Sequence, residues 1–250
     1  KEDSNTLGTK NNYEISKTTY QAGVMYNFDA IGLMPFFNYS QSFTPVVGSN
    51  SAVGYKPIEG RQYETGVKYL PEFIDGEFSL DIEEKNALVG GMVGGLYIQS
   101  QAGKKRTKGL EISSNVNLTD DINWIAAYTH YFSAKTHDGV NGDIVTQTAL
   151  IPKNTLSSFI TYKFSLTADQ SLKVGAGVRY VSSIPDGSAS GYKSPSYTLL
   201  DAMAEYEYKK LSVGLNVNNL TDKEYFSGCD GYYCYYGEGI RATLTAKYKF

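Results

Sequence analysis

The sequence predicts an all-β protein, an antiparallel transmembrane β-barrel. Three observations lead there: strict two-residue alternation of apolar and polar side chains, strands long enough to cross a bilayer, and connections that alternate between short and long. Alternation is plainest in the last ten residues, RATLTAKYKF, where Ala242, Leu244, Ala246, Tyr248 and Phe250 share one face. Arg241, Thr243, Thr245, Lys247 and Lys249 share the other. The same register runs through LKVGAGVRYV, with Val174, Ala176, Val178 and Tyr180 opposite Lys173, Gly175, Gly177 and Arg179. It recurs in LSVGLNVNN, where Leu211, Val213, Leu215 and Val217 oppose Ser212, Gly214, Asn216 and Asn218.

Read in order, the chain holds about eleven strands, at roughly residues 17 to 28, 32 to 42, 61 to 70, 77 to 86, 105 to 118, 122 to 136, 153 to 164, 171 to 183, 195 to 208, 211 to 225 and 239 to 250. Short turns fall at Asp29 to Ile31, Pro71 to Gly76, Thr119 to Asp121, Ser165 to Gln170 and Lys209 to Lys210. Longer segments fall at about 43 to 60, 87 to 104, 137 to 152, 184 to 194 and 226 to 238. Short turns on one side and long loops on the other are the pattern of an outer-membrane barrel. Several strands exceed the roughly 9 to 11 residues that cross hydrocarbon at a tilt. A soluble β-sandwich, the competing architecture, favours strands of about 5 or 6 residues and covers its apolar face with a second sheet. Gly and β-branched residues interrupt any stripe of helical period.

The strand count carries a further expectation. Single-chain bacterial barrels have an even number of strands. An eleven-stranded sheet left open would place two unpaired edges in lipid, where each orphan backbone group costs several kcal/mol. The missing partner strands are expected upstream of Lys1, which reads as an interior position of a longer protein.

Composition agrees with a barrel. The 250 residues include 22 Tyr and 25 Gly against 1 Trp, 7 Pro and 2 His, and tyrosine at this density suits a boundary between oil and water. No window approaches the roughly 18 to 20 uninterrupted apolar residues of a membrane helix, a test that barrels fail by construction. A formal charge of −3 with both signs interspersed leaves no basic footprint for nucleic acid.

Cys229 and Cys234 lie in CDGYYC, in a chain otherwise free of cysteine. A loop disulfide made in an oxidising compartment is the favoured reading, with two reduced thiols as the alternative. No metal site is expected, since His130 and His137 are far away in sequence and no other Cys is present. A hydrolase would need a Ser, His and acid converging at one end of the barrel. His130 falls on the expected lipid face of its strand and His137 begins an outer loop beside Asp138, so no enzyme is expected. VGGMVGG (89 to 95) lacks the Lys of a phosphate loop and reads as flexible outer-loop backbone. The basic run Lys104, Lys105, Arg106 and Lys108 enters a strand from an outer loop, where it would neutralise phosphate on outer-membrane lipid or draw an anionic cargo inward.

Four segments, RQYETGVKY (61 to 69), TKGLEIS (107 to 113), PSYTLLDAMAEY (195 to 206) and NVNNLTDKEYF (216 to 226), ahead of the terminal Phe250, resemble the C-terminal portion of TonB-dependent receptors. Each motif is weak, but four in order and at matching spacing from about Tyr20 onward are strong. The cysteine pair in the last long loop, followed by Tyr235, Tyr236 and Gly237, is most similar to ferrichrome and related hydroxamate-siderophore receptors.

The resemblance implies a barrel of about 22 strands around an N-terminal plug. It also implies import of a ferric siderophore across the outer membrane of a Gram-negative bacterium, driven by TonB. It places residues 1–250 in the C-terminal half of that barrel, with the plug, the TonB box and the first half of the barrel outside this chain. No cofactor is expected, because iron would arrive chelated by the siderophore. Tyr232, Tyr233, Tyr235 and Tyr236 would offer stacking faces and hydroxyl donors to a hydroxamate chelate, or would pack the loop around its disulfide. Tyr248 and Phe250 resemble the C-terminal signal read by the barrel-assembly machinery, and also suit a lipid-facing aromatic girdle. Asn219, Asp222 and Tyr225 match the family pattern but read physically as strand-end and turn residues without chemistry. A passive porin or substrate channel is the competing function; use of the loops as a phage-binding surface is a third.

Overall fold

In a computed structural model of the chain, residues 2–6, 9–13, 16–44, 57–70, 75–87, 91–93, 96–98, 103–137, 144–229 and 233–250 are described. Eleven of the described strands follow one another in one antiparallel meander, each paired with the next in sequence. They are β1 (Gln21–Met25), β2 (Leu33–Thr44), β3 (Ile58–Tyr69), β4 (Asp75–Ala87), β5 (Lys104–Asn117), β6 (Ile122–His137), β7 (Asn154–Thr167), β8 (Gln170–Val181), β9 (Tyr197–Tyr208), β10 (Leu211–Asn218) and β11 (Arg241–Tyr248). β1 and β11 are the two edges, and a short strand, Val145–Gln147, adds to the end of β6.

Register turns the alternation of each strand into two continuous faces. Leu211, Val213, Leu215 and Val217 stand opposite Tyr248, Ala246, Leu244 and Ala242, while Ser212, Gly214 and Asn216 stand opposite Lys247, Thr245 and Thr243. Leu156, Ile160, Tyr162 and Phe164 continue the apolar face against Tyr180, Ala176, Val174 and Leu172. No second sheet covers this face among the described residues: Ile160 is 46% exposed, Leu215 41% and Leu244 72%. A water-soluble sandwich would bury these side chains, whereas a barrel presents them to lipid.

The short turns are made by local chemistry. The Thr119 hydroxyl accepts from the Asp121 and Ile122 amides at 3.3 and 3.1 Å and folds β5 back into β6. Lys209 takes a left-handed φ of 51° in the two-residue turn between β9 and β10. Between β1 and β2 the expected turn is a single 3-10 turn at Asp29–Ile31, ended by Gly32 at φ 64°.

Several boundaries depart from expectation. The strand expected over 211–225 stops at Asn218, because Asn219 and Asp222 both adopt left-handed φ, 50° and 48°. The first strand, expected over 17–28, is confined to Gln21–Met25. His137 closes β6 rather than beginning a loop. In the Gly-rich segment, Gly91–Val93 pairs with Leu96–Ile98 as a two-stranded ribbon instead of loop backbone. Upstream, Glu2–Thr6 pairs with Thr9–Tyr13 as a separate two-stranded ribbon.

On the polar face one aromatic ring has a structural task. Phe159 of β7 lies over Gly177 and Gly175 of β8, so that a Cβ on Gly175 would come within 2.6 Å of the ring and one on Gly177 would overlap it. Glycine weakens a strand unless something covers the bare backbone, and the ring supplies that cover. Gly177→Val is expected to destabilise the barrel by about 2 kcal/mol through overpacking. Urea unfolding in detergent micelles checks this, and the double variant with Phe159→Ala should recover part of the loss.

Candidate functional site

The long-loop ends of β8, β9 and β10 carry a buried polar cluster. Register places Gly177 opposite Asp201 and Arg179 opposite Leu199, so Arg179 reaches diagonally past Gly177 to Asp201. Its Nε donates to Asp201 Oδ2 at 2.6 Å and its Nη2 to Oδ1 at 2.8 Å, a two-point charge-assisted contact. The Asn219 amide donates to the same Oδ1 at 3.0 Å. The Asp201 side chain is 10% exposed while that of Arg179 stays 44% exposed, so the carboxylate is the buried partner.

Asn219 ends β10 in a conformation that asparagine tolerates better than most residues. Its side chain then ties the chain that follows. Oδ1 accepts from the Lys223 amide at 2.9 Å, and Nδ2 donates to the carbonyls of Lys223 and Glu238 at 3.0 and 3.1 Å. Asp222 Oδ1 accepts from the Ile240 amide at 2.8 Å. Both feet of the last long connection are therefore pinned to one point on the wall. Between them the Tyr225 ring packs on Tyr197 with centroids 4.3 Å apart, and any side chain at Gly237 would overlap Tyr225.

Above this base the ribbon Phe226–Cys229 pairs with Cys234–Tyr236, and Cys229 and Cys234 are joined as a disulfide. Tyr236 stacks on Phe226 at 4.9 Å. Two other connections lean on the ribbon. Leu150, at φ 62°, donates its amide to the Pro185 carbonyl at 2.9 Å and packs so close to Gly228 that a Cβ there would meet it at 2.5 Å. Gly187, at φ 78°, sits against Ala149. Ile184 and Ser194, which pair at the base of the second connection, are 3% and 0% exposed.

Of the tyrosines singled out from the sequence, Tyr233 and Tyr236 are 72% and 77% exposed and Tyr235 is 49% exposed. Tyr232 lies outside the described residues. Tyr233, Tyr235 and Tyr236 thus lay aromatic, hydroxyl-bearing side chains along a supported ribbon. Tyr248 and Phe250, the other residues singled out, pack edge to face at 5.4 Å, and both are exposed. No group of three His, Cys, Asp or Glu stands ready to hold a metal ion among the described residues.

Comparison with known proteins places this geometry. The family model described as TonB dependent receptor-like, beta-barrel, matches residues 1–220. The chain belongs to the TonB-dependent receptor β-barrel family. It is 32% identical over 256 residues to the ferrichrome outer membrane transporter/phage receptor of Escherichia coli K12, covering 97% of this chain and 33% of that protein. It is 29% identical over 238 residues to the ferrioxamine B receptor of Salmonella typhimurium, covering 92% of this chain and 34% of that protein. Among solved structures, the siderophore receptor PiuA of Acinetobacter baumannii superposes with a TM-score of 0.72 at 25% identity, covering 93% of this chain and 36% of PiuA. The chain thus spans about a third of the length of the curated relatives it matches. The TonB-dependent receptors are outer-membrane barrels of Gram-negative bacteria, and the relatives are transport receptors, not enzymes. The apolar face described above is accordingly the lipid side, and the face of Arg179 and Asp201 is the lumen side.

In this barrel the roles fall differently from the sequence reading at two points. Asn219 and Asp222, read as simple turn residues, fix both feet of the last loop. Arg179 and Asp201 have no role in that reading at all. Their signal is present, a charge on the lumen side of each strand, but pairing them requires the β8–β9 register. His130 stands, as expected, on the lipid-side face with Tyr128, which shares its partner Asn154.

Proposed function

We propose that the protein carrying this chain imports a ferric siderophore of ferrichrome or ferrioxamine type across the outer membrane, driven by TonB. In this reading the chain is the C-terminal part of the barrel of a longer protein. Its wall lines the passage and its last loop meets the chelate. The plug and the TonB-contacting segment belong to the upstream region. Iron stays in the chelate throughout, so the protein supplies shape and polarity and needs no iron ligand or cofactor of its own. Tyr248 and Phe250 serve the barrel-assembly machinery.

The observation that carries the reading is the supported ribbon with Tyr233, Tyr235 and Tyr236 exposed on it. Three rings held on a clamped, cross-linked loop lose little freedom when they close on a ligand, which is how a loop binds without a large ordering cost. The names of the two relatives described above agree in kind with such a ligand.

The test uses the full-length receptor and quenching of its intrinsic fluorescence by ferrichrome and ferrioxamine B. Saturable quenching is expected. Replacing Tyr233, Tyr235 and Tyr236 together with Ala should raise the Kd about tenfold, at roughly 0.5 kcal/mol for each ring removed. Absence of saturable quenching by either chelate would remove this function and leave a passive channel.

A further inference from the structure

The wall is interrupted at the long-loop end of β6. β7 pairs with β6 only as far as Asn154 opposite His130, and the short strand Val145–Gln147 takes over at Lys135. In the interval β6 carries a bulge between Tyr131 and Ser133, which leaves Phe132 without a register partner on β5. A cleft of about 310 Å³ opens there. It passes through the wall instead of lying on one face. Tyr131 and Ala134, opposite Gly109 and Thr107, line it from the lumen side, and Lys135, opposite Arg106, lines it from the other.

Charge in the cleft has one sign. Lys135, Lys153 and Lys193 line it together with the hydroxyl-bearing Ser133, Ser182 and Ser183, and no acidic residue lines it among the described residues. None of the three lysines forms an ion pair among the described residues. Like charges gathered around one small space repel each other, and an anion entering that space relieves the repulsion. The cleft also backs onto the aromatic ribbon. Ile151 lines it, and the residue before, Leu150, packs against Gly228 of the ribbon. Pro185 lines it as well, and its carbonyl accepts from the Leu150 amide at 2.9 Å. A chelate lying on Tyr233, Tyr235 and Tyr236 therefore has the cleft just behind its support. A volume at the bottom of the range for small-molecule pockets suits one arm of a chelate and not the whole.

We propose that this cleft receives a carboxylate carried on an arm of the ferric chelate, so that acid-bearing hydroxamate chelates are preferred to neutral ones. The proposal rests on the cargo reading given above. The test measures quenching of the full-length protein's intrinsic fluorescence by two probes, ferrichrome and a ferrichrome analogue whose acyl arms end in carboxylates. In low salt the analogue should bind about tenfold more tightly, since an exposed ammonium–carboxylate contact supplies a factor of about two and three lysines are at hand. Sodium chloride at about 0.5 M should remove most of that preference. Lys135→Gln, Lys153→Gln and Lys193→Gln combined should abolish it, while ferrichrome binding and the heat-dependent gel shift of a folded barrel stay as they were. The triple Lys→Arg variant should keep it. Equal affinity of the unaltered protein for the two probes overturns the proposal and leaves the cargo reading standing, whereas failure of both probes to bind removes both. A preference that survives in the folded triple Gln variant overturns the proposal. So does loss of the preference when inorganic phosphate is added at the concentration of the chelate, which would mark a site for free anions.

Discussion

Replacing Asn219 with Ala is expected to cost about 4 kcal/mol of barrel stability, the largest loss from any single truncation in the cluster. Three side-chain hydrogen bonds disappear, to the Lys223 amide and to the Lys223 and Glu238 carbonyls, at a site only 2% exposed. Each contributes about 1 kcal/mol, and the polar groups left behind have little water to replace it. Alanine at φ 50° adds about 1 kcal/mol of backbone strain. Asn219→Gly separates the two causes, because it removes the side chain and keeps the conformation. The Gly variant should recover only the strain, and recovery of most of the stability would show that backbone geometry, not the side-chain tether, holds the loop. Urea unfolding of the refolded barrel in detergent measures both.

Asp201→Ala should cost about 3 kcal/mol. It removes the acceptor of two charge-assisted bonds from Arg179 and of the Asn219 amide, and it leaves that amide without its partner. Loss of one member of a fully buried pair costs about 3 to 5 kcal/mol, and the lower end applies because the Arg179 side chain is 44% exposed and regains water. Asp201→Asn, which keeps an acceptor oxygen, should fall between the two. Asp201 and Asn219 share one network, so the double Ala variant should lose less than the sum of the singles. Strict additivity would mean that the two residues act independently.

The wall was legible because each strand must show lipid on one side and water on the other. The alternation in RATLTAKYKF and LKVGAGVRYV therefore recurs as paired faces in β11 and β8. Ends were less legible. Nothing in VNNLTDKEYF shows that the strand must stop at Asn218, because the groups that hold Asn219 in place include a carbonyl nineteen residues on, at Glu238. The same limit hid Arg179 and Asp201, 22 residues apart and joined only once β8 and β9 are in register. The bulge in β6 was hidden too, since it adds one residue at Phe132 to an alternation that otherwise reads straight through. The tyrosines of the last loop, by contrast, were visible as composition alone.

Leu150 wedged against Gly228, its amide on Pro185, and Gly187 against Ala149 make three outer connections a single mechanical unit. Such a unit constrains how the barrel can be redesigned or can diverge. A chimera that transplants only residues 226–236 from a relative imports a ribbon whose neighbours no longer match it. Transplanting that ribbon together with residues 148–151 and 184–194 carries the complementary surfaces along. The surface at this rim is therefore exchanged as a cassette rather than loop by loop.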